Sequence, residues 1–139
     1  MPGAPLDALR RVGLFENLNG RELSQVARLF KLRTFPAGEM VMREGSGGGS
    51  FYVIESGEAS VLVRGEERAK LGPGDHFGEI ALIDEGARTA SITAVSELVC
   101  YGMTLWDFRP LVERNGVVGW KLLQALAKIF RDAQQAPSA

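Results

Sequence analysis

The stretch from Leu32 to Thr104 limits what this chain can become more than any other feature. Within it, apolar residues recur at every second position in short runs, each cut off by glycine. "MVMRE" (Met40 to Glu44) alternates, "FYVIE" (Phe51 to Glu55) is aromatic and β-branched, and "EASVLV" (Glu58 to Val63) alternates again. Such a period puts successive side chains on opposite faces of a strand. The "ESGE" between the latter two is a tight hairpin turn, and the Gly-Pro-Gly of "LGPGDHF" forbids a strand from continuing. "RTASITAV" and "ELVCYGM" add strands further on. Short strands at regular spacing predict a mainly β protein, an antiparallel sheet folded over into a β-roll, or double-stranded jelly roll, across residues 32–104. "GSGGGS" (Gly45 to Ser50) has the composition of a flexible linker. Strand-like sequence flanks it at hairpin distance, so a loop inside the roll is expected there.

Helical patterns flank the roll. Residues 6–31 hold "LDALRRV" and "LNGRELSQVARLF". In the second, Asn19 is the expected N-cap, with Glu22 three residues on to close a capping box. Leu23, Val26, Ala27 and Phe30 then form a core-facing stripe. Residues 105–134 are expected to make two more helices, "TLWDFRPLVERN" with Pro110 kinking or interrupting it, and "VVGWKLLQALAKIFRDAQQ". In the latter the polar positions Lys121, Gln124, Lys128, Arg131 and Gln135 form one narrow stripe. The remaining apolar face is wider than one packing partner requires. The helix is therefore either a lid or a surface that meets a second chain. A flexible tail over 135–139 completes an expected single domain spanning 1–139.

Composition removes several function classes. Sixteen Lys and Arg against seventeen Asp and Glu leave a net charge of −1, with no basic footprint for nucleic acid or an anionic membrane. No run approaches the roughly 18 apolar residues of a membrane span, and "MPGAPLDALRR" has no signal-like apolar region. The lone Cys100 sits in an apolar run and reads as a small buried hydrophobe, which fits a reducing cytoplasm. A single histidine, His76, cannot supply the histidine-rich ligand set of a jelly-roll metal enzyme or a Ser/His/Asp triad. No metal ligands, no catalytic residues and no enzyme are expected. His76 itself reads as a turn or surface residue, and Trp106 and Trp120 as core or interface.

One segment does not belong to a plain roll. "FGEIALIDEGARTAS" (Phe77 to Ser91) begins with Gly-Glu, turns apolar at helical spacing from about Glu79 to Ile83, breaks at Asp84-Glu85-Gly86, and resumes at Arg88. Gly78 lets backbone approach a ligand closely. The N–H groups opening the short helix attract an anion, and Arg88 adds a permanent cation with a fork of donors. Together these describe a site for one phosphate. A carboxylate there, Glu79, makes sense as the acceptor for a neighbouring hydroxyl such as a ribose 2′-OH. A phosphate beside a free 2′-OH is the signature of a 3′,5′-cyclic nucleotide.

These residues resemble the phosphate-binding cassette of the cyclic nucleotide-binding domains, found in cAMP-dependent kinase regulatory subunits, bacterial catabolite activator proteins and cyclic-nucleotide-gated channels. "PAGEMVMREG", "FYVIESGEASV" and "LGPGDHFGE" resemble the turns of that family's β-roll, so the likeness spans nearly the whole chain. The resemblance implies that Arg88 pairs with an equatorial phosphate oxygen and Glu79 with the 2′-OH. Gly78, Ile80, Ala81 and Ala90 would offer backbone contacts. Thr89 would touch the phosphate, or the 2-amino group of a syn guanine. Val61, Leu71 and Phe77 would line the place of the base. Lys128, Arg131, Asp132 and Gln134 are spaced to cap the base from a terminal-helix lid, and the family varies at this point. The ligand implied is cAMP, favoured on the family's bacterial habit, or cGMP. The implied role is that of a cytoplasmic receptor in signal transduction acting on an effector protein, with a homodimer through the last helix as a further partner.

Other readings stand beside this one. Glu79 and Arg88 as a structural ion pair, with Ser91 an ordinary strand residue, would leave a ligand-free dimerisation module; a cupin-like enzyme is the remaining alternative. A DNA-binding regulator would need a helix-turn-helix that these residues do not contain.

Overall fold

A computed structural model describes residues 3–47, 50–84, 86 and 88–135. Gly48 and Gly49 of the glycine-rich loop, Glu85 and Ala87 of the cassette, and 136–139 of the expected tail lie outside the described residues, while Gln135 is the last residue of a helix. The chain opens with α1 (Leu6–Arg10), a 3-10 turn at Gly13–Phe15 and α2 (Gly20–Ala27). Asn19 caps α2 as expected: its side chain accepts from the Glu22 N–H, and the Glu22 carboxylate accepts from the Asn19 N–H, each at 2.9 Å.

Among the described residues eight strands follow: β1 (Lys31–Phe35), β2 (Met40–Met42), β3 (Ser50–Ser56), β4 (Ala59–Val63), β5 (Glu66–Leu71), β6 (His76–Phe77), β7 (Ser91–Ala94) and β8 (Leu98–Thr104). They form two four-stranded antiparallel sheets, in the orders β1-β8-β3-β6 and β2-β7-β4-β5. The pairing is nested: β1 with β8, β2 with β7, β3 with β6 and β4 with β5. One long hairpin has thus been rolled up until β8 also meets β3 and β7 meets β4. That is the jelly roll predicted from the alternating stretch.

The roll buries two cores, and β3 separates them. Tyr52 and Ile54 point into the roll with Phe77, Ile92, Leu98 and Cys100. Phe51 and Val53 point outward and are covered by the N-terminal helices through Leu9, Phe15, Val26 and Phe30. "FYVIE" therefore reads as a continuous apolar run because both of its faces are buried. Cys100 is fully buried, and burial pushes its thiol up to about 12, so it packs as a hydrophobe.

Two helices close the described chain, α3 (Leu105–Arg114) and α4 (Gly116–Gln135). Thr104 caps α3 with Asp107 in a capping box, and Pro110 sits inside the helix without interrupting it. α4 packs on the 3-10 turn at Gly13–Phe15, burying Val118, Leu122 and Ala125. Its polar stripe borders that buried face: Lys121 Nζ lies 2.7 Å from Glu22, and Lys128 Nζ lies 3.2 Å from Glu16. The opposite apolar stripe is open, with Trp120 64%, Leu123 58% and Phe130 64% exposed. No helix among the described residues is long and apolar enough to cross a membrane.

Candidate nucleotide site

The site grows out of the break after β6. Gly78 has φ of +85°, a left-handed conformation that a residue with a Cβ adopts only under strain. The space a Cβ would need there is already taken: it would lie 2.6 Å from the Ser50 carbonyl oxygen and 3.0 Å from both Arg88 Nη1 and Met42 Cε. Gly78 thus lets the Arg88 guanidinium pass directly over the main chain. Beyond it comes one 3-10 turn, Glu79–Leu82, where the spacing predicts a short helix to about Ile83. A single tight turn accumulates little dipole, so the positive potential at this end falls chiefly to Arg88. Asp84 then closes a turn by accepting from the Gly86 N–H at 2.9 Å.

Arg88 is held by its main chain and its tip. It lies ahead of β7, not at its start: its N–H donates to the Ser46 carbonyl at 2.8 Å, and its carbonyl accepts from Gly45 at 2.9 Å. Its Nη2 donates to the Ser50 carbonyl at 3.2 Å. Burial pulls the guanidinium down from the ordinary arginine range, with a smaller opposing contribution from Tyr52. Among the described residues no carboxylate lies within ion-pair distance of it. Glu79 is turned elsewhere, its Oε2 3.4 Å from His76 Nε2. The structural ion pair between Glu79 and Arg88 is therefore absent among the described residues.

Between the cassette and the β2-β7-β4-β5 sheet lies a cavity of about 410 Å³. Glu79, Ile80, Arg88, Thr89 and Ala90 form its cassette wall, with Gly78 at the bend. Val61, Leu71 and Phe77 line the side toward the roll. Ala81 belongs to the 3-10 turn, and its side chain lies outside the described residues. Five lining residues were not expected from the sequence: Met42, His76, Asp84, Gly86 and Ile92. Ile92 is there because β7 pairs with β4 in the register Val61↔Ile92, a pairing that no local pattern announces. Met42 follows an irregularity in the β2–β7 ladder, which defeats counting by twos. His76, expected at a surface or turn, is half-buried in β6 with its ring edge-on to Phe51. Ser91 is the strand residue expected, its hydroxyl accepting from the Glu44 N–H at 2.8 Å.

The residues named for a lid stand apart from this cavity. Lys128, Arg131, Asp132 and Gln134 do not line it, because α4 lies along the N-terminal turn, where Ile129 packs against Gly13 and Lys128 is engaged by Glu16. Among the described residues no cluster of His, Cys, Asp and Glu could hold a metal ion.

Chemically, the cavity offers one partly desolvated cation beside a small-residue turn, two carboxylates in Glu79 and Asp84, and an apolar floor. Comparison with known proteins identifies the family. A family model for the cyclic nucleotide-binding domain matches residues 32–115. The chain is 34% identical over 125 residues to the cyclic AMP receptor protein of Thermus thermophilus, covering 86% of this chain and 58% of that protein. It is 41% identical over 92 residues to the cAMP-dependent protein kinase regulatory subunit of Emericella nidulans, covering 65% of this chain and 22% of that one. Among solved structures, the N-terminal domain of a transcriptional regulator from Streptomyces coelicolor superposes with a TM-score of 0.84 at 29% identity, covering 96% of this chain and 99% of that one. The catabolite activator protein of Thermus thermophilus gives 0.69 at 33% identity, covering 88% and 60%. The chain thus spans less than two thirds of the curated relatives it matches. Roll, cassette and comparison converge, and the chain belongs to the cyclic nucleotide-binding domain family.

Proposed function

We propose that this chain is a non-enzymatic receptor module for a 3′,5′-cyclic nucleotide, cAMP ahead of cGMP. One observation carries the reading. Arg88 is a partly desolvated guanidinium whose side chain, among the described residues, meets only the Ser50 carbonyl, and it faces a cavity of about 410 Å³. A ring phosphodiester supplies the missing anion, and Arg88 and Thr89 hold it. Glu79 accepts from the ribose 2′-OH, while Ile80, Ala81 and Ala90 contribute main-chain contacts. The base lies against Val61, Leu71 and Phe77.

In this reading the last turns of α4 close over the base, bringing Lys128, Arg131, Asp132 or Gln134 to it. The physical support is a contrast along the helix. Val118, Leu122 and Ala125 are buried and fix its first half, whereas 127–135 are exposed and carry one solvent-accessible ion pair, Lys128 with Glu16. Such a pair is worth little, so its release opposes closure weakly. The ligand drives the change only through its higher affinity for the closed arrangement. The open stripe of α4 belongs to a second copy: Trp120, Leu123, Ala127 and Phe130 repeat at three- and four-residue steps, the seam of a two-helix coiled coil.

Isothermal titration of the wild type and Arg88→Ala with cAMP, cGMP and AMP tests the assignment. The wild type should bind a cyclic nucleotide and ignore AMP. The variant leaves the phosphate unpaired in the cavity, which costs about 3–5 kcal/mol, roughly a hundred- to several-thousand-fold in affinity. Equal affinity in the two proteins would end the assignment.

A further inference from the structure

The carboxylate that meets the ribose in the proposed reading is poorly restrained by its own segment. Glu79 opens a single 3-10 turn, its side chain is 33% exposed, and among the described residues it makes no hydrogen bond to main chain or side chain. A free glutamate samples many rotamers, and ordering one costs up to about 2 kcal/mol. That cost falls on the ligand unless something in the protein has already met it. Among the described residues, the one group within ion-pair range is the imidazole of His76, with Nε2 at 3.4 Å from Glu79 Oε2.

His76 is far better anchored than its partner. It belongs to β6 and is paired with Val53 of the central strand β3. Its ring stands at 72° to that of Phe51, centroids 5.7 Å apart, and Phe51 is fully buried. Backbone ladder and aromatic packing together hold the imidazole in place, with Nε2 3.4 Å from Glu79 Oε2. We infer that His76 is a positioning residue for nucleotide recognition: it holds Oε2 of Glu79 and leaves Oε1 free to accept from the sugar hydroxyl. A carboxylate has lone pairs enough for both partners. An anchored imidazole 3.4 Å away also keeps the carboxylate from turning to Arg88, so acid and cation remain available for two different groups of one ligand.

This inference rests on the cyclic-nucleotide reading, and the measurement separates the two. The readout is the ratio of affinities for cAMP and 2′-deoxy-cAMP, which isolates the Glu79 interaction from everything else that holds the ligand. A hydroxyl donating to a carboxylate sets that ratio at about 10- to 100-fold in the wild type. His76→Phe keeps a ring against Phe51 and removes the nitrogen, so the ratio should fall about fivefold or more while the 2′-deoxy affinity stays within twofold. His76→Gln restores a donor of similar reach and should return the ratio to within about twofold of the wild type. A phenylalanine variant that discriminates as well as the wild type overturns the role of His76 alone. So does one that weakens both nucleotides equally, since that is the mark of a merely structural residue. A wild type that binds both nucleotides equally overturns the Glu79 assignment and the His76 role with it, and one that binds neither overturns the reading of the whole site.

Discussion

Two hollows border the 3-10 turn Glu79–Leu82, one on each side, and they are opposites. On the roll side is the cavity of about 410 Å³ reached by Arg88, Glu79 and His76. On the helix side is a groove of about 620 Å³ walled by Leu82 and Ile83 of the cassette, Phe108 and Val112 of α3, and Leu122, Leu123 and Leu126 of α4. The charged residues lining the groove, Arg109 and Glu113, neutralise each other at 3.0 Å. The larger hollow can therefore attract only through apolar area, which is non-directional. The smaller one holds a partly desolvated cation without a carboxylate partner among the described residues, and so can select by charge and geometry. Volume alone would favour the apolar groove. One turn walls both: Glu79 and Ile80 line the cavity, while Leu82 packs in the core with Phe108 of α3 and with Val118 and Leu122 of α4.

The sharpest way to break this contrast is to fill the space above Gly78. In Gly78→Ala the new methyl would sit 2.6 Å from the Ser50 carbonyl at a φ of +85°. Left-handed strain and overpacking together should cost about 2–4 kcal/mol of stability, read by urea denaturation. Displacing the Arg88 tip should in addition weaken cAMP by tenfold or more in titration. Wild-type affinity in this variant would show that Arg88 reaches the ligand by another route.

The helix side is tested by charge. Trp120→Glu with Leu123→Glu puts two carboxylates on the open seam of α4, where both side chains are exposed. Loss of two central anchors should weaken self-association by about 2–3 kcal/mol, roughly 30- to 150-fold, in sedimentation equilibrium. Affinity for cAMP should stay within a few-fold, since neither residue lines the cavity. A wild type that sediments as a monomer at high micromolar concentration would remove the twin helix from the reading.

What could be read from the sequence followed from how local each signal is. Alternation and glycine turns announced the roll, because period two and turn chemistry are written within a few residues. The Asn19–Glu22 capping box was equally legible, being a three-residue contact. Gly78, Glu79, Arg88 and Thr89 came out of a contiguous motif, and the cavity brings them together. The misses were non-local or geometric. Ile92 reached the cavity through strand pairing, Met42 through a ladder irregularity, and His76 through the packing of Phe51 across β3. The short helix expected from about Glu79 to Ile83 takes the 3-10 form over Glu79–Leu82, a distinction that apolar spacing over five residues does not carry. Most instructive was α4. Its apolar width and narrow polar stripe were visible, but not the partners of that stripe: Lys121 and Lys128 reach carboxylates on the N-terminal segment.

That last contact yields the mildest test, and it separates the tether of α4 from the chemistry of the cavity. Glu22 Oε1 accepts from both Lys121 Nζ, at 2.7 Å, and the Asn19 N–H, at 2.9 Å. The lysine hydrogen bond first, and the Asn19 N–H second, hold this carboxyl below its ordinary range, against an opposing effect of burial. A carboxyl with a lower pKa folded than unfolded stabilises the protein above its unfolded value, near pH 4.3, and loses that contribution as pH falls through the folded value. Stability should therefore decline on acidification from about pH 5 downward. Lys121→Met removes the largest cause of the shift while keeping the aliphatic stem. It should cost about 2 kcal/mol at neutral pH and flatten the acid slope, with cAMP affinity little changed. A slope as steep in the variant as in the wild type would mean that the Asn19 N–H alone sets the acidity of Glu22. The first half of α4 would then be held by Val118, Leu122 and Ala125 without help from charge.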